Sequence, residues 1–121
     1  IKNKIIYKNI MGGEIVSITD RETFKKYVKE HRYNIVKVSA GWCGPCQRVK
    51  PWFMERFKSM PENVNLILVD ADEGDLAAYL KVKSIPHIQN VIEELTYEIY
   101  PTSSEETLEK FFQITEQRSK I

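Results

Sequence analysis

Apolar residues recur along this chain at two spacings, and the change from one to the other marks its elements. Ile15, Val16 and Ile18 suggest a short strand. Thr19-Asp20 then offers an N-cap. Phe24, Tyr27, Val28 and His31 follow at i, i+3, i+4 and i+7, one face of a helix. Residues 35–39 are short and β-branched, the pattern of a strand. Residues 44–58 carry Val49, Trp52, Phe53 and Phe57 at helical spacing. The nearly continuous apolar run 64–69 predicts a strand buried on both faces. A short helix is expected over 75–80. Strands over 87–92 and 96–100 follow, joined by a tight turn at Glu93-Glu94. Ser103 and Glu106 have capping-box spacing, and Leu108, Phe111, Phe112 and Thr115 form the stripe of a last helix.

The predicted order is β α β α β α β β α, an α/β fold. Alternation implies parallel strands with helices on both faces, and the adjacent pair adds an antiparallel hairpin. Residues 1–13 mix Lys and Asn with apolar residues and end at Gly12-Gly13. They read as an N-terminal arm or an added edge strand, ahead of one domain over 14–121. In open sheets of this kind, ligand chemistry sits beyond the carboxyl ends of strands. Cys43 falls there, just after the strand at 35–39.

Length and charge narrow the function classes. A chain of 121 residues fits one domain that builds its core without staples. A net charge of +1 gives no strong field for nucleic acid or anionic lipid. No apolar run approaches the roughly 20 residues of a membrane span. The expected location is the cytoplasm. The chain opens on Ile1 rather than Met, so an organellar or secretory route stays open.

Cys43 and Cys46 are the only cysteines, two residues apart in Trp42-Cys43-Gly44-Pro45-Cys46. Two thiols at this spacing can close into a disulfide and open again, a two-electron switch. Only the thiolate attacks a disulfide, and a free cysteine has a pKa of about 8.5. At a helix N-terminus, unpaired N–H groups and partial positive charge favour the anion. In a Cys-X-X-Cys setting the pKa can fall to roughly 7 or below. Pro45 suits the first helical turn, where its missing N–H costs nothing. Gly44 admits another backbone. Cys46, one turn in, is expected to be more buried and to act as the resolving thiol. Half of a zinc site is a weaker alternative, since zinc takes four ligands and only His31 and His87 remain. Two buried structural cysteines are weaker still. No metal is expected on these residue types.

These residues resemble the thioredoxin family. Trp42-Cys43-Gly44-Pro45-Cys46 looks like its active site, and Ser39-Ala40-Gly41 is similar to the segment before it in eukaryotic members. Pro51 sits where the family has a helix-kinking proline. Val69-Asp70-Ala71-Asp72 resembles the end of its third strand. Ile85-Pro86 matches a pair whose proline is cis in the family. The resemblance covers about 14–116. It implies a mixed sheet of about five strands flanked by four helices. It also implies a protein-disulfide reductase in which Cys43 attacks and Cys46 resolves. Trp42, Gly44, Pro45, Ile85 and Pro86 would contact the substrate. No cofactor is implied, but a reductase must recharge the dithiol, and the chain is expected to act as a monomer on protein disulfides.

Four positions depart from the family pattern. Lys37 stands where thioredoxins place a buried Asp, six residues before the first cysteine. It either snorkels to solvent or, charged and close, lowers the thiol pKa values and raises the reduction potential. His87 stands where the family often has Thr, as a titrating neighbour of Cys46 or a structural histidine. Glu94 and Thr102 replace family glycines, and Thr102 would reshape the substrate groove. Two rival functions follow: a disulfide oxidase or isomerase, and a binding module that uses the fold as a scaffold.

Overall fold

The computed structural model describes residues 4–7 and 12–120. In chain order the elements are β1 (Lys4–Tyr7), β2 (Ile15–Ile18), α1 (Arg21–Glu30), β3 (Tyr33–Ser39), α2 (Gly44–Lys58), β4 (Val64–Asp70), α3 (Leu76–Tyr79), β5 (His87–Ile92), β6 (Leu95–Tyr100) and α4 (Glu105–Arg118). The strands form one sheet in the order β1-β2-β4-β3-β5-β6. The β2–β4 and β3–β4 pairs are parallel, while β3–β5 and β5–β6 are antiparallel. The expected five-stranded mixed sheet with four helices is present. β1 adds a sixth strand, antiparallel to β2, with Lys4 opposite Ile18 and Tyr7 opposite Ile15. The rest of the expected arm, 1–3 and 8–11, lies outside the described residues.

The sheet separates two apolar layers, because side chains alternate between its faces. On one side Ile35, Leu66 and Ile88 meet Val49, Phe53 and Phe57 of α2 and Leu108, Phe111 and Phe112 of α4. On the other, Val36, Val38, Ile67 and Val91 meet Phe24, Tyr27 and Val28 of α1 and Leu76 of α3. Phe53, Phe57, Phe111 and Phe112 are fully buried. Truncating any one to Ala would cost roughly 3–5 kcal/mol.

Caps fix where the helices begin. Asp20 caps α1, its Oδ2 accepting from the Thr23 N–H at 2.9 Å. The cap of α4 is Ser104, not the expected Ser103: its Oγ accepts from the Thr107 N–H at 3.2 Å. One residue earlier, Thr102 Oγ1 accepts from the Ser104 N–H at 3.0 Å, so Thr102 shapes the turn that leads into the cap. His31 ends α1 rather than extending its apolar face. It is the C-cap, and its ring stacks on Tyr27 at 3.9 Å. Gly74, at φ +65°, lets the loop before α3 press against the Thr19 carbonyl, where a Cβ would overlap. The Leu76 N–H donates to that carbonyl at 3.2 Å. Asp75 Oδ1 accepts from the Arg21 N–H at 2.9 Å, so α1 and α3 start from one joint.

Candidate active site

β3 runs through the centre of the sheet and delivers the chain to Cys43. The Cys43 N–H donates to the Ala40 carbonyl at 3.1 Å, closing the turn after the strand. Gln47 Nε2 donates to the same carbonyl at 3.0 Å and ties α2 to it. Cys43 is the N-cap of α2, and its Sγ accepts from the Cys46 N–H at 3.3 Å. Pro45 sits in the first turn, where its lack of an N–H leaves no orphan.

Cys43 and Cys46 are joined in a disulfide. Both are packed in a small apolar ring with Ala40, against which Ala71 and Ile85 rest. Cys43 keeps 5% exposure and Cys46 none, so Cys43 is the sulfur that an incoming group can reach. Its Sγ lies 3.9 Å from the Ile85 carbonyl oxygen, a van der Waals contact because a disulfide sulfur carries no hydrogen. Ile85-Pro86 is cis, and Pro86 is buried.

Beside the sulfurs, Trp42 is 71% exposed. Its Nε1–H donates to Asp72 Oδ2 at 2.7 Å, which fixes the direction of the indole. Trp42, Ala71, Ala77, Val82 and Ile85 line a groove of 510 Å³. The structure thus brings Trp42, Cys43 and Ile85 to one surface, with Cys46 enclosed behind Cys43, Gly44 exposed and Pro45 half-buried. Thr102 is half-buried.

Lys37 is on the α2 side of β3 and only 2% exposed. Its Nζ lies 5.7 Å from the centre of the Phe53 ring. Burial, and then the charge of Lys50, push its pKa down from 10.5 to about 8. Its stem is enclosed, while the residue also lines a cleft with Lys50 and Asp70. His87 is on the opposite face and 4% exposed. Its Nε2 is 2.6 Å from Gln89 Oε1, while Gln89 Nε2 donates to Thr96 Oγ1 at 3.0 Å. Since the Gln89 amide nitrogen is committed to Thr96, its oxygen accepts from His87, and Nε2 carries the hydrogen. His31, the other histidine, belongs to the Tyr27–Glu14 group where α1 ends, with Nε2 3.5 Å from Glu14 Oε2.

Sequence patterns did not single out Asp72, Gln47 or Lys50 for the site. Asp72 was legible only as part of Val69-Asp70-Ala71-Asp72. Lys50 carried a signal in its spacing, since it stands at i+4 from Cys46 on α2.

The family profile described as Thioredoxin matches residues 15–114, from β2 into α4. The chain belongs to the thioredoxin family. It is 34% identical over 71 residues to Thioredoxin-2 of Pyricularia oryzae, covering 58% of this chain and 41% of that protein. It is 38% identical over 80 residues to Thioredoxin Asp f 29 of Aspergillus fumigatus, covering 63% of this chain and 72% of that one. Among solved structures, Fasciola hepatica thioredoxin superposes with a TM-score of 0.75 at 22% identity, over 82% of this chain and 97% of that one. That likeness carries the thioredoxin fold. No helix among the described residues is long and apolar enough to cross a membrane.

Proposed function

We propose that this thioredoxin-family protein is an oxidoreductase that reduces protein disulfides through a Cys43/Cys46 cycle. The observation that carries the reading is the disulfide at the start of α2, with one sulfur at the surface and the other enclosed. In the reduced protein, the Cys43 thiolate attacks one sulfur of a substrate disulfide. The substrate bond breaks, and its other sulfur leaves as a thiolate that takes a proton from solvent. Cys46 then gives up its proton and attacks Cys43 Sγ. The mixed disulfide breaks, the second substrate thiolate leaves, and the Cys43–Cys46 disulfide forms. Two electrons pass from the protein to the substrate.

The surroundings suit each step. The Cys46 N–H that meets Cys43 Sγ would hold the thiolate after reduction. Trp42, Gly44, Pro45, Ile85 and Pro86 form the proposed substrate surface, with an extended peptide lying along the Ile85-Pro86 backbone. A separate reductase would return two electrons, no cofactor is required, and a reducing compartment such as the cytoplasm suits the cycle. We read His87 as a support for β5, its Nε2–H held by Gln89.

A disulfide oxidase or isomerase is the second reading, and Lys37 favours it, since a cation in place of the family's buried acid would stabilise the reduced form and raise the potential. Insulin reduction separates an enzyme from a binding module that uses the fold as a scaffold. The reductase reading expects turnover far above that of Cys43→Ser. Activity no higher than that background would point to a binding module.

A further inference from the structure

A second cavity lies behind the disulfide, on the α2 side of the sheet. It measures 290 Å³, and its polar lining is Ser17, Lys37, Ser39, Gln47, Lys50 and Asp70. These residues come from β2, β3, α2 and the end of β4. Two of the six are already committed. The Gln47 amide donates to Ala40, and Asp70 Oδ1 accepts from the Asp72 N–H at 2.8 Å.

The two lysines differ from them. Lys37 is 2% exposed, yet neither it nor Lys50 has a hydrogen bond or ion pair among the described residues. The Lys37 ammonium carries three donors, and with its stem enclosed the cleft is where they are met, by solvent or by an anion. Here two cations line one small space, and each raises the cost of the other. The charge facing that space is positive from β3 and α2 and negative only from Asp70 on β4, while β2 contributes the neutral Ser17.

We propose that this cleft binds the phosphate dianion between Lys37 and Lys50. Three features select it. The two ammonium groups match its charge. The Ser17 and Ser39 hydroxyls add donors for a tetrahedral set of oxygens. Asp70 then discriminates: hydrogen phosphate keeps one O–H that it can donate to a carboxylate, whereas sulfate offers only acceptors and would meet Asp70 as a like charge. Methyl phosphate dianion also lacks that hydrogen, so the site takes free phosphate rather than a phosphate ester. Occupancy would keep Lys37 protonated, because an anion beside an ammonium favours its charged form.

The test follows the Lys37 signal by NMR in the full chain labelled with ¹³C-lysine, at constant ionic strength. Saturating phosphate should raise the pH midpoint of Lys37 by about one pH unit. Sulfate and methyl phosphate should bind more weakly by on the order of tenfold. Calorimetry should find no saturable phosphate binding to Lys37→Met, a change that keeps the volume and folds readily. In Asp70→Asn the preference for phosphate over sulfate should disappear, since an amide can donate to either ion. A response that does not saturate, that persists in Lys37→Met, or that is equal for phosphate and sulfate in the wild type overturns the proposal. Equal binding of methyl phosphate overturns it as well, by making the ligand an ester.

Discussion

Cys43 Sγ accepts the Cys46 N–H at 3.3 Å, so one cysteine caps the helix that carries the other. The capping donor is therefore in place before any substrate arrives. Of the pair, Cys43 is the sulfur that can be reached and Cys46 the one that waits. Cys46→Ser should retain attack but not release. It should accumulate a mixed disulfide with substrate, visible by non-reducing electrophoresis and reversed by dithiothreitol. Cys43→Ser should form none. Equal trapping by both variants would reverse the assigned order.

Lys37→Asp should lower the reduction potential. An ammonium in place of the family's carboxylate would stabilise the thiolate and thus the reduced form, and a carboxylate would do the opposite. A tenfold change in this equilibrium is about 30 mV, and the expected fall is roughly 30–60 mV. Equilibration against a glutathione series measures it. A potential in the variant at or above that of the wild type would contradict the role given to Lys37.

The same lysine sets a pH dependence of stability. Its pKa is about 8 in the folded protein against 10.5 ordinarily. Below pH 8 it is charged in both states and the full cost of burial applies. Between about 8 and 10.5 the unfolded chain binds more protons, so stability rises with pH. Above that range the cost is gone. At about 1.4 kcal/mol per pH unit, the total is roughly 3 kcal/mol. Lys37→Met should therefore be more stable than wild type at pH 7, with the gap closing by pH 10.5. Urea unfolding at the two pH values checks it.

His87→Thr should leave the shape of the pH–rate profile unchanged while reducing stability. The loss would come from Gln89 Oε1, which keeps its buried position without its donor. An unmet buried acceptor costs about 1–3 kcal/mol. A profile that loses a limb in the variant would instead make His87 a proton carrier.

Glu94→Gly should stabilise the protein by on the order of 1 kcal/mol. Glu93 and Glu94 both have positive φ, at 52° and 70°, as a two-residue hairpin turn requires. Glu93 is held there by Arg32, through an ion pair at 2.7 Å and a hydrogen bond from its own N–H to the Arg32 carbonyl at 2.8 Å. Glu94 has no hydrogen bond or ion pair among the described residues, so its substitution is the informative one. Thermal unfolding of the variant should show a raised midpoint.

Much of this was written in the periodicity. The strand at 64–69 and the stripe at Leu108, Phe111 and Phe112 were legible because burial on a sheet or helix repeats at a fixed spacing. The position of Cys43 followed from the strand before it and the proline after it. Other features depend on contacts between distant segments and left no local mark. The Trp42–Asp72 hydrogen bond spans 30 residues. The Lys37 cleft draws on four elements, so the sequence offered an odd lysine in a strand but not the second lysine facing the same space. Ser103 and Ser104 are equally good caps by type, and only the Thr102 turn chooses between them.

Gly74 has a consequence that reaches beyond its loop. The Thr19 carbonyl it crowds also receives the Leu76 N–H, and Ala77 next to Leu76 is part of the groove beside the disulfide. One wall of that groove therefore hangs from the joint between β2 and α1, whereas the sulfurs are set by β3 and α2. Reactivity and recognition have separate foundations in this chain. A lineage could exchange its partners through changes at that joint while its dithiol stayed the same.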